Sequence, residues 1–211
     1  NADFYLKYAL RIAKKKRSNA KIAEAENYIA LNFMLQNNKD SALFYTDQAI
    51  QYARRTSNKG ILAESFNTQA QIYAYFGQLE ISVSKNMISE QLAREVNDLV
   101  RLARYNRELG VSQRAIFNLD AAKDFFEQSY LFASKVFDNR QMGLALSNLG
   151  YVYFEKKDFK KAISTTEKAI DLLSLINDYN GQGEAHNILG MIHRERKDYN
   201  LASINLNQAL V

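Results

Sequence analysis

The chain repeats itself every 40 residues. Ala30, Ala70, Gly110, Gly150 and Gly190 stand 40 apart, as do Ala42, Ser82, Ala122, Ala162 and Ala202. Ala9, Ala49, Ser89, Ser129, Ala169 and Ala209 form another such ladder. All of these side chains are small, and small residues at fixed spacing mark places where helices approach closely. A further ladder, Ser18, Asn58, Asp98, Asp138 and Asp178, holds preferred helix N-cap types. Their side-chain oxygens accept from orphan N–H groups in the first turn. Self-similarity at this period predicts a helical solenoid in which each unit buries its apolar face against its neighbours. Such arrays bind other molecules more often than they transform them.

Composition agrees. There is no proline and there are only 8 glycines, which suits long uninterrupted helices. Thirteen Tyr and 12 Phe supply large apolar area for helix contacts. No stretch reaches the roughly 18 to 20 apolar residues that cross a bilayer, so no membrane insertion is expected. Residues 1–22 carry seven basic side chains against Asp3, a local charge of +6, whereas the remainder holds 21 basic and 22 acidic residues. A nucleic-acid binder spreads its basic residues along a face, and none is expected as a partner here. The absence of cysteine excludes disulfides and thiolate chemistry but fits any compartment, leaving cytoplasm and periplasm both open.

Apolar residues fall at helical spacing in two runs per unit. In the fourth unit Leu146, Leu149, Gly150 and Tyr153 form one stripe, and Phe159, Ala162, Ile163, Ala169, Ile170 and Leu173 the next. The short charged segment 155–158 between them reads as a tight antiparallel turn. The pattern predicts eleven helices, at 3–17, 19–36, 39–56, 59–76, 79–96, 99–116, 119–136, 139–156, 159–176, 179–196 and 199–211. No Gly/Ser linker interrupts them, so one domain is expected. It comprises a partial repeat 3–17 and repeats at about 18–57, 58–97, 98–137, 138–177 and 178–211, with boundaries good to about 2 to 4 residues. Asn1-Ala2 reads as an expression-tag remnant, and the partial units at both ends read as an excised piece of a longer protein.

Ala145-x-x-Asn148-Leu149-Gly150-x-x-Tyr153, then Lys157-Asp158-Phe159-x-x-Ala162 and Glu167-Lys168-Ala169-Ile170, resembles the tetratricopeptide repeat. Gly183-Glu184-Ala185-x-x-Ile188-Leu189-Gly190-x-x-His193, then Lys197-Asp198-Tyr199-x-x-Ala202, resembles it equally. The likeness weakens in the second and third units, where Ser82, Ser89 and Ser129 replace alanines and Gln69 and Gln113 replace apolar residues. The closing proline is missing, and the period is 40 in place of the family's usual value of about 34. The resemblance implies an all-α, right-handed α-α superhelix of antiparallel helices whose first helices line a concave groove. Carried over position by position, it implies a peptide groove formed by Asn27, Asn67, Gln71, Tyr75, Arg104, Arg107, Arg114, Ser147, Tyr151, Phe154, Asn187, Met191 and Arg194. Asn27, Asn67 and Asn187 share one register, and a side-chain amide pairs with both N–H and C=O of an extended peptide. Arg104, Arg107 and Arg114 gather positive charge that suits an acidic segment or C-terminus. Tyr75, Tyr151, Phe154, Met34 and Met191 offer apolar pockets.

Catalytic chemistry has no foothold. No glycine-rich phosphate loop, Gly-x-Ser-x-Gly elbow or HExxH occurs, and no cofactor is expected. His186 and His193 lie seven apart, whereas helical metal pairs favour three or four, so they read as packing residues and no metal site is expected. Lys14–Arg17 reads as cations attracted to a helix C-terminus. The chain is therefore expected to be a protein- or peptide-binding module of a larger protein, its partner acidic in character and its oligomeric state open. Two further readings share these residues. One is the ligand-sensing region of a bacterial signalling protein, a kinase or helix-turn-helix regulator, whose output domain is missing. The other is a self-associating scaffold.

Overall fold

A computed structural model describes residues 2–210, with side chains from Phe4 onward; Asn1 and Val211, on which the readings of the chain ends partly fall, lie outside the described residues. Among those residues every regular element is an α-helix. They are α1 Ala2–Lys15, α2 Asn19–Leu35, α3 Lys39–Arg54, α4 Lys59–Tyr75, α5 Leu79–Glu95 and α6 Leu99–Ala115, followed by α7 Leu119–Lys135, α8 Asn139–Glu155, α9 Phe159–Ser174, α10 Tyr179–Glu195 and α11 Tyr199–Gln208. All eleven lie where the sequence places them, each ending one to three residues early.

At nine of the turns the early end has the same cause. Arg17, Asn37, Gly77, Asn97, Phe117, Phe137, Lys157, Asn177 and Lys197 all take positive φ just past a helix end. The next residue's N–H then reaches back five residues to a free carbonyl, as in Asn38 N to Phe33 O (2.9 Å) and Asp158 N to Tyr153 O (2.9 Å). This is the Schellman closure. The same residue caps the following helix: Asn38 Oδ1 accepts from Ser41 N at 3.1 Å, Asp138 Oδ1 from Gln141 N at 3.0 Å. Asp178 does likewise with Gly181 N, and that bond chiefly holds its carboxyl below the usual carboxylate range, Arg140 adding to it. Where both bonds form, one residue finishes a helix and starts the next, which makes the turn short and the neighbours antiparallel. The α3–α4 turn is different. Ser57 does not take positive φ, and Thr56 Oγ1 instead donates to Ala53 O and accepts from Asn58 N.

By its internal packing the chain groups into two compact units, Asn1–Asp98 and Leu99–Val211. In the first, α2 packs on α1, α3 and α4. Its core joins Ala30, Ala42 and Ile72, flanked by Phe33 stacked on Tyr45 at 5.3 Å. In the second, each helix packs on its successor, around Ala122, Phe126, Leu149 and Val152 and around Ala162, Ile188, Leu189 and Ile192. The small-residue ladders sit at these joints. A Cβ added at Gly110 would lie 2.6 Å from the ring of Phe126, and one at Gly150 would overlap Thr166 Oγ1. Close approach of the helices is what excludes a side chain there.

Candidate peptide-binding site

In the second unit, α6 touches α8 and α8 touches α10, so the first helices of three successive repeats lie side by side. Arg104, Arg107 and Arg114 from α6, Tyr151 and Phe154 from α8, and Met191 and Arg194 from α10 recur at helical spacing on that side. Tyr151, Phe154, Met191 and the three α6 arginines are half-buried, and Asn187 and Arg194 are exposed. Arg107 is held from α8. Its Nε donates to Gln141 Oε1 at 3.3 Å. Burial lowers its pKa below the ordinary arginine value, Glu108 opposes that, and Arg104 adds to it. A guanidinium so shifted still carries its charge at neutral pH. Arg104 lies 5.1 Å from the Tyr105 ring centre and donates from Nη2 to its hydroxyl at 3.4 Å.

Arg114 lies over the Tyr151 ring at 4.4 Å, close enough for a cation–π contact. One turn beyond Tyr151, Glu155 keeps Oε2 buried without a hydrogen-bond partner. Burial raises its pKa above the usual carboxylate range, with Arg114 pulling the other way. Tyr151 and Phe154 stand 5.8 Å apart, and Phe154 leans on Phe159 at 6.3 Å. Cations beside open aromatic faces suit a carboxylate together with an apolar side chain. Next to this face Arg140, Tyr179, Gly183, Glu184 and Asn187 line an open cleft of about 890 Å³ with Leu206, Ala209 and Leu210. Arg140 Nε is bound to Asp178 Oδ2 at 2.8 Å.

The asparagine ladder needs correcting. Asn27 is 5 % exposed and donates to Ser65 Oγ at 3.1 Å; Asn67 is 0 % exposed, donates to Asn86 Oδ1 at 2.9 Å and accepts from Gln71 Nε2 at 3.0 Å. Asn27 of α2 thus bonds into α4 and Asn67 of α4 into α5, so both amides are taken up in helix packing in this conformation. Only Asn187 of the three is exposed. Ser147 is likewise buried, at 3 %. Tyr75, at the end of α4, is exposed and edges onto Phe76 at 5.1 Å.

Gln141 and Arg140 escape the sequence reading. They approach the α6 arginines from the start of α8, a position no spacing rule connects with Arg107. Ser65 and Asn86 do carry a signal, being polar at helix-facing positions. His186 Nδ1 lies 3.0 Å from Asn205 Oδ1, and His193 is buried with Nδ1 3.7 Å from Asp198 Oδ2. Lys14 reaches Glu26 at 3.5 Å. Among the described residues no three His, Asp or Glu side chains gather as metal ligands would, and no helix is long and apolar enough to cross a membrane.

Residues 141–210 match the family model described as tetratricopeptide repeat. No curated protein sequence matches the chain. Among solved structures, BtubC (BKLC) from P. vanneervenii superposes with a TM-score of 0.82 at 15% identity, over 97% of this chain and 85% of that one. A putative kinesin light chain of Podosopora anserina with nearly identical TPR-like repeats gives 0.71 at 14% identity, over 90% and 94%. A Rap protein complexed with competence and sporulation factor gives 0.77 at 13% identity, over 91% of this chain and 53% of that one. These likenesses show the fold. The chain has the fold of a tetratricopeptide helical repeat array, and its residues 141–210 match that repeat in sequence as well.

Proposed function

We propose that the chain is a protein- or peptide-binding module and that the first-helix face of α6, α8 and α10 captures a segment carrying an acidic group. The observation that carries this reading is Arg114, on a helix that also carries Arg104 and Arg107 at helical spacing, lying over the ring of Tyr151 with Phe154 beside that ring. Guanidinium groups hold carboxylates through paired, charge-assisted hydrogen bonds, and the neighbouring rings offer apolar contact. The Rap structure that shares this fold holds competence and sporulation factor, which lends support to a peptide ligand. Helices fixed by packing on both sides lose little freedom on binding, so the cost of ordering falls mostly on the ligand.

An arrayed library of extended peptides varied in net charge tests the reading. Acidic members are expected to bind, and Arg104→Ala with Arg114→Ala to weaken them about tenfold, or roughly 1.4 kcal/mol. Circular dichroism confirms that the variant stays folded. Equal capture of acidic and basic peptides, or an affinity indifferent to both substitutions, overturns it.

A further inference from the structure

The arginine-bearing face of the second unit holds an acid of its own. Arg114 lies over the Tyr151 ring at 4.4 Å, and Glu155 follows Tyr151 by one turn on α8. Glu155 Oε2 is buried and has no hydrogen-bond partner, whereas a carboxylate taken out of water normally finds donors for its lone pairs. Burial lifts its pKa above the usual carboxylate range, and Arg114 is the charged group that pulls it back. The other charges near this end of α8 have partners or face solvent. Lys156 is bound to Asp120 of α7, and Lys123 of α7 to Glu127 at 3.2 Å. Lys157 reaches Glu195 of α10 at 2.8 Å, and Lys161 of α9 reaches Asp158 at 3.1 Å. Lys160 and Arg194 are exposed, and Arg194 adds to the lowering of Glu195 by Lys157. Glu108 and Glu184 act on Arg107. His186 and His193 of α10 meet Asn205 and Asp198, on the side of α11.

Resting on the reading proposed above, we infer that an acidic group arriving at Arg114 drives a proton onto Glu155, so that this face binds its ligand with proton uptake and more tightly as pH falls. The cause is crowding of like charge. Two acids beside one guanidinium stay ionised together only at a cost, and the one already short of water and donors takes the proton. A neutral Glu155 then leaves the whole charge of Arg114 to the ligand. The proton comes from solvent, and the O–H is the one bond made. A carboxyl whose pKa is higher in the complex than in the free protein favours the complex where it is protonated. Affinity therefore rises as pH falls through the window between those two values. That window lies above the ordinary glutamate value, and a single site steepens binding by at most about tenfold per pH unit.

The full chain is titrated calorimetrically with an extended peptide of alternating leucine and cysteate, whose sulfonates stay ionised throughout. Two buffers of different ionisation enthalpy are used at each pH from about 7 down to about 5, above the ordinary carboxylate range. The difference in heat gives the protons taken up with each peptide. Uptake approaching one proton is expected, with affinity rising as pH falls. In Glu155→Gln uptake is expected to vanish and affinity at neutral pH to rise by about tenfold. Both histidines remain in that variant, so uptake that persists in it belongs elsewhere and overturns the inference. Parent binding without uptake, or with an affinity flat in pH, overturns it too. Circular dichroism checks the fold of the variant, and the parent's uptake is read independently of it. A parent protein that binds this peptide at no pH overturns the inference together with the face it rests on; every other outcome leaves that face standing.

Discussion

At the residue scale the fold is controlled by what cannot be added. Gly110 faces the fully buried ring of Phe126, and a methyl group there would sit 2.6 Å from a ring atom. Alanine normally gains about 1 kcal/mol over glycine inside a helix. Here overpacking outweighs that gain, since a clash in a close-packed core costs about 1–3 kcal/mol. Gly110→Ala is expected to lower stability by about 1 kcal/mol in urea denaturation, and Phe126→Leu to recover part of the loss when combined with it. A gain in the single variant would show that α6 and α7 can separate. Glu26 makes a second residue-scale case. It is 2 % exposed, and burial raises its pKa above the usual carboxylate range despite Lys14. A carboxyl whose pKa is higher folded than unfolded favours the fold when protonated. That contribution is lost as pH rises from the ordinary value through the raised one. Glu26→Gln is therefore expected to melt higher than the parent protein at neutral pH, with the difference vanishing at acid pH below the ordinary glutamate value. Parallel melting curves across pH check it.

At the element scale the 20-residue beat was half legible. The cap ladder and the charged turns were plain in the sequence, because Ser, Asn and Asp have a strong preference for helix starts. The left-handed residue before each cap was not, because only Gly77 among the nine is glycine. Phe117 and Phe137 give no hint that they take φ of 60° and 55°. The Schellman closure imposes that conformation from outside, against the steric preference of a bulky side chain, which costs roughly 1–2 kcal/mol. Phe137 is 86 % exposed, so little packing compensates. Phe137→Asn is expected to stabilise the protein by about 0.5–1 kcal/mol, because Asn tolerates the left-handed region. Ser57→Asn, at the one corresponding turn without positive φ, should give no gain. Thermal melts of the two variants side by side separate a conformational effect from a general effect of asparagine.

At the scale of the whole molecule, the architecture was readable from small residues alone, yet the candidate site was readable only where helix neighbours do not cover it. The register that aligns Asn27, Asn67 and Asn187 cannot show that the first two lie beneath a following helix, since coverage is a tertiary fact. The family model begins at residue 141, and the second and third repeats, which precede it, are those in which polar side chains replace apolar ones. The structure explains those replacements. Gln69 Nε2 donates to Asp47 at 2.7 Å, Ser129 Oγ to Ala103 O at 2.7 Å, and Asn67 to Asn86 at 2.9 Å. A buried polar pair contributes little net stability when complete and costs about 1–3 kcal/mol when one member is lost. Asn67→Leu alone removes the donor to Asn86 Oδ1, and should destabilise the first unit by that amount. Asn67→Leu with Asn86→Leu replaces both members with apolar groups of similar size and should recover most of it. Hydrogen exchange localises the effect: faster exchange in α4 and α5 for the single variant, near-parent exchange for the pair, and α8–α9 unchanged in both. Additive losses in the pair would mean that the amides stabilise the joint through contacts other than each other.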